Sequence, residues 1–199
     1  ADKLARWIDF KNGYKTMDLS FMNSTWWVFK QLFIKGRVYE GQRIMPYSTT
    51  CGTPLSNFET QQNYQEVQDD SLFIKLPLVN KFKDINSSIL VWTTTPWTLP
   101  ANYALCVNPE INYSLVKSKE NHYILATGLI EKIFKEPVVI ISSMTGSELV
   151  GLEYIPPFTY NTQMTDKPYK IIGDNYVTET DGTGIVHIAP AFGAEDMEL

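Results

Sequence analysis

Short β-branched and apolar runs, each closed by turn residues, recur from residue 71 onward, and this cadence is the strongest constraint on the fold. Ser71 to Leu76, Ser88 to Trp92, Tyr103 to Val107, Tyr113 to Lys117, His122 to Ala126 and Val138 to Ser142 all have strand length. Asn108-Pro109 and Lys119-Glu120-Asn121 supply turn chemistry between them. Gly128 to Phe134 reads as a short helix, and Tyr169 to Ile172, Asn175 to Thr178 and Gly184 to Ile188 read as later strands. Such spacing predicts an α+β, mainly β fold: an antiparallel β-barrel with peripheral helices. With 199 residues, 44% of them apolar, one sizeable core is within reach.

The barrel is expected over residues 61–199, as one compact unit or two closely packed parts, with residues 1–60 forming an amino-terminal helix and a β-ribbon joining segment. Trp7-Ile8-Asp9-Phe10 opens the chain, and a polar turn follows at Asn12-Gly13. Asp18 to Lys35 has helical spacing, with Asp18 as N-cap and Gly36 as the stop. Trp26, Trp27, Phe29, Leu32 and Phe33 give this helix a broad apolar face suited to the core or to another domain. A platform for stacking nucleic acid bases is the sharper alternative. Arg37 to Ser48 and Pro54 to Glu59 read as extended segments around a hairpin tip at Thr50 to Thr53. Gln61 to Asp70 reads as a solvated connection.

A chemically unusual segment ends one of the strands: Trp92-Thr93-Thr94-Thr95-Pro96-Trp97-Thr98-Leu99-Pro100-Ala101-Asn102. Pro96 lacks a backbone donor and restricts Thr95, so the strand should stop there with three hydroxyls at its mouth. Each hydroxyl both donates and accepts, and can hold a water or a ligand oxygen. The structural alternative is that the threonines merely suit a pleated surface and Trp97 plugs the core.

Near the other end lies Gly182-Thr183-Gly184-Ile185-Val186-His187-Ile188-Ala189-Pro190-Ala191-Phe192-Gly193-Ala194-Glu195-Asp196. Together the two stretches resemble the editing domain of isoleucyl-tRNA synthetases, the large insertion in their catalytic domain, also called connective peptide 1. The segments Met45-Pro46-Tyr47-Ser48 and Pro54-Leu55-Ser56-Asn57-Phe58-Glu59 are similar to the eukaryotic, cytosolic branch, so the resemblance covers essentially the whole chain. Valyl- and leucyl-type domains share the later Gly-Thr-Gly signal, whereas the Thr-Thr-Thr-Pro-Trp form and His187 look isoleucyl. One departure is Met197, where many relatives have an aromatic residue after the aspartate.

Several activities are disfavoured by what the sequence lacks. It has no Gly-rich phosphate loop followed by Lys-Ser/Thr, nor the His-x-Gly-His and Lys-Met-Ser-Lys-Ser strings with which class I synthetases activate amino acids. Amino-acid activation by this chain is therefore not expected. Two histidines far apart and two solitary cysteines, Cys51 and Cys106, suggest neither a metal site nor a disulfide framework. No cofactor is expected, and Cys106 reads as core rather than nucleophile. A net charge of -5 argues against gripping a duplex through many phosphates. No apolar run approaches the ~20 residues of a membrane span, and the chain starts on no signal peptide. A cytoplasmic location and a monomer are expected, and the two ends suggest an excised fragment.

The resemblance implies a proofreading reaction. Valine fits a pocket made for isoleucine, and a missing methylene is worth only ~1–3 kcal/mol, as this family illustrates. A second, smaller pocket admits valine, excludes isoleucine and hydrolyses the wrong ester. The implied partners are the 3′ end of valyl-tRNA for isoleucine, valyl-adenylate and the remainder of the synthetase. The implied alternative is a non-catalytic tRNA 3′-end or domain-docking module. Broad hydrolysis of small-molecule esters is a third reading.

By the same resemblance, Thr93, Thr94 and Thr95 would orient water and the ester or terminal ribose, and Asn102 would fix that network; its plain role is an Asx-turn. Asp196 would accept the substrate's α-ammonium in a charge-assisted bond, with a helix N-cap as the plain alternative. His187 would line the side-chain pocket and reject isoleucine, selecting rather than moving protons. Trp92 and Phe192 would shape the adenosine pocket, and Gly182, Thr183 and Gly184 would let backbone approach the adenosine, although glycines also suit a tight turn.

Overall fold

The computed structural model describes Asp9, residues 11–160 and residues 169–199. The remaining residues of the aromatic opening, Trp7, Ile8 and Phe10, lie outside the described residues. Two compact units divide the chain, Ala1–Arg43 and Ile44–Leu199.

The first unit carries helix α1, Leu19–Ile34. Asp18 stands at its N-cap with extended dihedrals but makes no side-chain capping bond. The carboxyl end closes as a Schellman motif: Gly36 N donates to Phe33 O and Arg37 N to Leu32 O, with Gly36 at φ 67°. Trp26, Trp27, Phe29, Leu32 and Phe33 are exposed, and no residue of α1 is buried. The apolar face expected to meet the core or another domain is therefore exposed among the described residues.

The second unit opens on a two-stranded ribbon, β1 (Tyr47–Ser48) and β2 (Thr53–Pro54). Beyond Leu55 the chain does not stay extended. Ser56 caps helix α2 (Asn57–Thr60) in a reciprocal box, Glu59 N to Ser56 Oγ at 3.3 Å and Ser56 N to Glu59 Oε2 at 2.8 Å. The signature Ser-x-x-Glu was present in the sequence, but its four residues are too few for a periodicity to register.

Eight further strands form two sheets: β3 (Leu72–Pro77), β4 (Ser88–Thr93), β5 (Ala104–Val107), β6 (Asn112–Ser118), β7 (Asn121–Ala126), β8 (Val139–Thr145), β9 (Ile171–Gly173) and β10 (Ile185–Ile188). The larger has the order β3-β4-β7-β6-β8 and the smaller β10-β5-β9. A short 3-10 turn and helix α3 (Ile130–Ile133) follow β7, and helix α4 (Ala194–Glu198) ends the chain. Asn175 to Thr178 is not a strand, because Asp174 Oδ1 accepts Tyr176 N at 2.9 Å and turns the chain.

The fold is mixed and mostly sheet, but the expected antiparallel barrel is not formed among the described residues. Closure would require the edge strands β3 and β8 to pair, and they do not. Two pairings are moreover parallel, β4 with β7 and β5 with β9. The sheets instead stack. Ile89 and Val91 of β4 meet Leu105, Val107, Ile171 and Ile185 of the smaller sheet in the main core, with Tyr113, Leu115 and Tyr154. Leu90 points the other way, into a second cluster with Val116, Leu125 and Ile130. β4 is thus covered on both faces, which is why its sequence reads as a continuous apolar run. Each buried aliphatic side chain contributes roughly 1.5–3 kcal/mol, so this strand is held firmly up to its threonine end.

Candidate active site

At the carboxyl end of β4 the two sequence motifs meet. A cleft of about 530 Å³ is lined by Trp92, Thr93, Thr94, Thr95, Gly182, Thr183, Gly184, His187, Phe192 and Asp196. Of the expected site residues only Asn102 is absent from its surface. Thr93 is the last residue of β4 and is buried, while Thr94 and Thr95 are exposed past the strand end. Pro96 then starts a 3-10 turn, Pro96–Ala101, which carries Thr98 back beneath the threonines.

His187 reaches the site by strand period: on β10 it shares a face with Ile185, which belongs to the main core. It is only 7% exposed. Nε2 lies 2.8 Å from Thr98 Oγ1, and Nδ1 lies 2.9 Å from Asn102 Nδ2. The neighbours decide the tautomer. Asn102 Nδ2 also donates to Ala104 O at 3.1 Å, a carbonyl that can only accept, and Tyr154 Oη donates to Asn102 Oδ1 at 2.6 Å. The amide therefore presents N–H to Nδ1, and the imidazole proton belongs on Nε2. Thr98 Oγ1 accepts that proton and donates its own to Thr95 O at 2.8 Å.

Burial lowers the His187 pKa from 6.5, against a smaller opposing pull from Asp196, so the ring is neutral at neutral pH. With Nδ1 filled by Asn102 and Nε2 protonated, no imidazole lone pair is free for general-base work. Thr95 remains more versatile. Its N–H donates to Thr93 Oγ1 at 3.1 Å, and its hydroxyl lies 3.3 Å from Thr93 Oγ1 and 3.4 Å from Thr98 Oγ1. Because Thr98 has spent its proton on Thr95 O, Thr95 Oγ1 keeps acceptor capacity at the cleft surface.

The helix that carries Asp196 is held more lightly. Gly193, not Asp196, is the N-cap residue of α4. Asp196 sits in the first turn, where its Oδ2 accepts Ala189 N at 2.7 Å, and Oδ1 has no hydrogen bond among the described residues. Phe192 is 61% exposed. Gly182 and Gly184 have φ of 68° and 69°, a left-handed region that favours glycine. A Cβ at Gly182 would lie 2.8 Å from the Trp92 ring, and one at Gly184 would press on Ala126 Cβ. The tight-turn reading of both glycines therefore has a direct physical basis. Thr183 is buried between them, with Oγ1 donating to Ile185 O at 3.3 Å.

Trp97 does not plug the core: it is 63% exposed and lines the cleft. Thr98, Tyr176 and Asp181 also line it and were not singled out from the sequence. Thr98 lay inside the threonine motif, so its spacing from Thr95 was available as a signal; Tyr176 and Asp181 gave none. Cys106 is fully buried, and burial pushes its thiol up to about 11, which makes it an inert core residue.

Residues 1–173 match the family model described as tRNA synthetases class I (I, L, M and V). The chain is 48% identical over 202 aligned residues to the cytoplasmic isoleucine–tRNA ligase of Mus musculus, covering 99% of this chain and 16% of that protein. It is 49% identical to the cytoplasmic enzyme of Saccharomyces cerevisiae, covering 98% of this chain and 18% of that protein. For the isoleucine–tRNA ligase of Chlamydia pneumoniae the identity is 46%, over 98% of this chain and 19% of the relative. The chain thus spans less than a fifth of the length of these relatives. Among solved structures, the crystal structure of GlLeuRS-CP1 aligns with a TM-score of 0.54 at 18% identity, over 65% of this chain and 58% of that one. The cytosolic leucyl-tRNA synthetase editing domain of P. knowlesi aligns with a TM-score of 0.53 at 16% identity, over 68% and 63%. At these identities the likeness concerns the fold.

Proposed function

Because the chain belongs to the class I tRNA synthetases (I, L, M and V), we propose that it is the proofreading domain of an isoleucyl-tRNA synthetase and hydrolyses valine mischarged on the isoleucine tRNA. The observation that carries this reading is the cleft whose lining brings together a carboxylate with one open oxygen, Asp196, a buried, proton-fixed imidazole, His187, and the threonine strand end. The isoleucyl identity of the curated relatives and the editing-domain fold of the structural ones support it.

In this mechanism Asp196 Oδ1 accepts the α-ammonium of the aminoacyl group in a charge-assisted hydrogen bond. The aliphatic side chain then points at His187, whose ring is held by Thr98 and Asn102 and cannot yield to an additional methylene. Thr95 Oγ1 accepts from a water, with Thr93 and Thr94 hydroxyls beside it. That water adds to the carbonyl carbon, the ester C–O bond breaks, and the water's proton passes to the departing ribose oxygen. The products are free valine and uncharged tRNA. The main contributions are positioning and stabilisation of the developing oxyanion, since the His187 ring has no free lone pair and Asp196 is engaged by the ammonium. Valyl-adenylate presents the same ammonium and carbonyl and is a second substrate of the same site.

The remainder of the synthetase, the tRNA 3′ end, a monomeric state and a cytoplasmic setting complete the proposal, the last from the names of the mouse and yeast relatives. Among the described residues no helix is long and apolar enough to cross a membrane. The exposed aromatic face of α1 favours a docking role for that helix in addition. Deacylation of valyl-tRNA by this chain, compared with N-acetylvalyl-tRNA and with Asp196→Ala, tests the reading. Rapid loss of valine that is suppressed by acetylation and by the substitution is expected; hydrolysis indifferent to both would remove Asp196 from the site.

A further inference from the structure

Behind the cleft, the hydrogen bonds that fix His187 end on a residue 52 positions away from Asn102 in sequence. Tyr154 is 2% exposed and its hydroxyl points at the Asn102 carbonyl at 2.6 Å. Its backbone is clamped on two sides, bridging Leu78 and donating from its N–H to Tyr169 O at 3.1 Å, while its ring packs edge-on against Tyr169 with centroids 5.9 Å apart. Burial raises its pKa above the ordinary phenol value, so the hydroxyl remains a donor throughout the working range. A phenol held this firmly is a fixed donor, and Asn102 Oδ1 is the acceptor it meets.

We propose that Tyr154 is a positioning residue of the site: by donating to Asn102 Oδ1 it locks the amide so that Nδ2 faces His187 Nδ1 and the imidazole proton is kept on Nε2. The juxtaposition is directional at each step. Tyr154 Oη–H donates to Asn102 Oδ1, Asn102 Nδ2–H to His187 Nδ1, His187 Nε2–H to Thr98 Oγ1, and Thr98 Oγ1–H to Thr95 O. A buried phenol thus determines which atoms at the threonine strand end remain acceptors. Without its hydroxyl, Asn102 Oδ1 is left buried and unpaired, and the amide is held only through its nitrogen, by Ala104 O and by the ring it is meant to fix. The ring of His187 is then free to sample the other tautomer and to tilt. Only the hydrolysis part of the following test rests on the editing reading.

The tautomer is read directly from long-range ¹H–¹⁵N correlations of the imidazole rings in the apo chain, with His122→Gln to assign His187. The unmodified chain is expected to show one neutral form protonated on Nε2. Tyr154→Phe should lose that single pattern in favour of a mixture, and Asn102→Asp, whose carboxylate accepts from Nδ1–H, should reverse the tautomer and raise the His187 pKa. Tyr113→Phe serves as a matched control, because that buried hydroxyl bonds Gly184 O and the Asn108 N–H rather than Asn102. It should leave the His187 pattern unchanged.

In deacylation assays Tyr154→Phe should reduce the preference for valyl over isoleucyl ester by on the order of tenfold, mainly by admitting isoleucine. A proton on Nδ1 in the unmodified chain, or an unaltered Nε2–H pattern in Tyr154→Phe, overturns the proposal. Should Tyr154→Phe fail to fold, a proton on Nδ1 in the unmodified chain still overturns the proposal. If the tautomer behaves as expected while neither ester is hydrolysed, the role of Tyr154 stands and the editing reading falls.

Discussion

Two groups of residues that line or back the cleft are built to opposite specifications. On one side, Tyr154, Asn102, His187 and Thr98 are all at least nine-tenths buried and joined by consecutive hydrogen bonds of 2.6–2.9 Å. On the other, the five-residue α4 presents Asp196 through a single bond to Ala189 N, beside an exposed Phe192. A wall that discriminates by size has to resist displacement, because a pocket that relaxes by a methylene's width no longer excludes the larger side chain. A carboxylate that attracts an ammonium needs only charge and approximate reach. In the proposed function the buried group would select and the more exposed carboxylate would anchor.

This contrast is broken most severely by Asn102→Ala. The substitution orphans the Tyr154 hydroxyl and His187 Nδ1 and removes one donor from Ala104 O, and a loss of about 2–4 kcal/mol in unfolding free energy is expected by urea titration. Asp196→Ala should do the reverse. A decrease of roughly 10- to 100-fold in kcat/KM for the valyl ester is expected, in line with a lost charge-assisted bond. The accompanying stability loss should stay within about 1 kcal/mol, since one exposed-wall hydrogen bond is removed.

Acid acts on the buried group through His187. The folded-state pKa of His187 is depressed by burial below its ordinary 6.5, so below that value the unfolded chain binds a proton that the folded chain refuses. The stability His187 permits is thus intact above pH 6.5 and declines as pH falls toward the folded pKa. Melting curves between neutral and mildly acid pH should show this slope, and His187→Gln should flatten it. The smallest effect is expected at Thr95→Ala, with stability within about 0.5 kcal/mol of the parent because the residue is exposed, but with slower hydrolysis.

Much of the larger sheet was legible because its strands carry their signal locally: Ser88 to Trp92 and His122 to Ala126 are apolar runs bounded by turns, and both appear within a residue or two of the expected limits. The two chemical motifs were legible for the same reason, each being contiguous. What escaped was non-local. The parallel pairing of β5 with β9 joins Leu105 to Ile171, and nothing in either run announces a parallel partner. Closure of a barrel is likewise a relation between β3 and β8, which no strand spacing can specify. Tyr154 shows the same limit within the site. It sits in Gly-Leu-Glu-Tyr, outside any motif, and gains its role only where the fold brings it to Asn102. The structural alternative for Trp97, a plug in the core, fails because the 3-10 turn from Pro96 leaves this residue exposed at the cleft.

Deacylation of valyl- and isoleucyl-tRNA, both on the isoleucine-accepting tRNA, by the unmodified chain and His187→Ala decides whether the rigidly held His187 selects against the larger side chain. Fast loss of valine and negligible loss of isoleucine are predicted for the unmodified chain, with His187→Ala still hydrolysing the valyl ester and now attacking the isoleucyl ester as well. A His187→Ala chain that remains folded, hydrolyses valyl-tRNA and still spares isoleucyl-tRNA would contradict it.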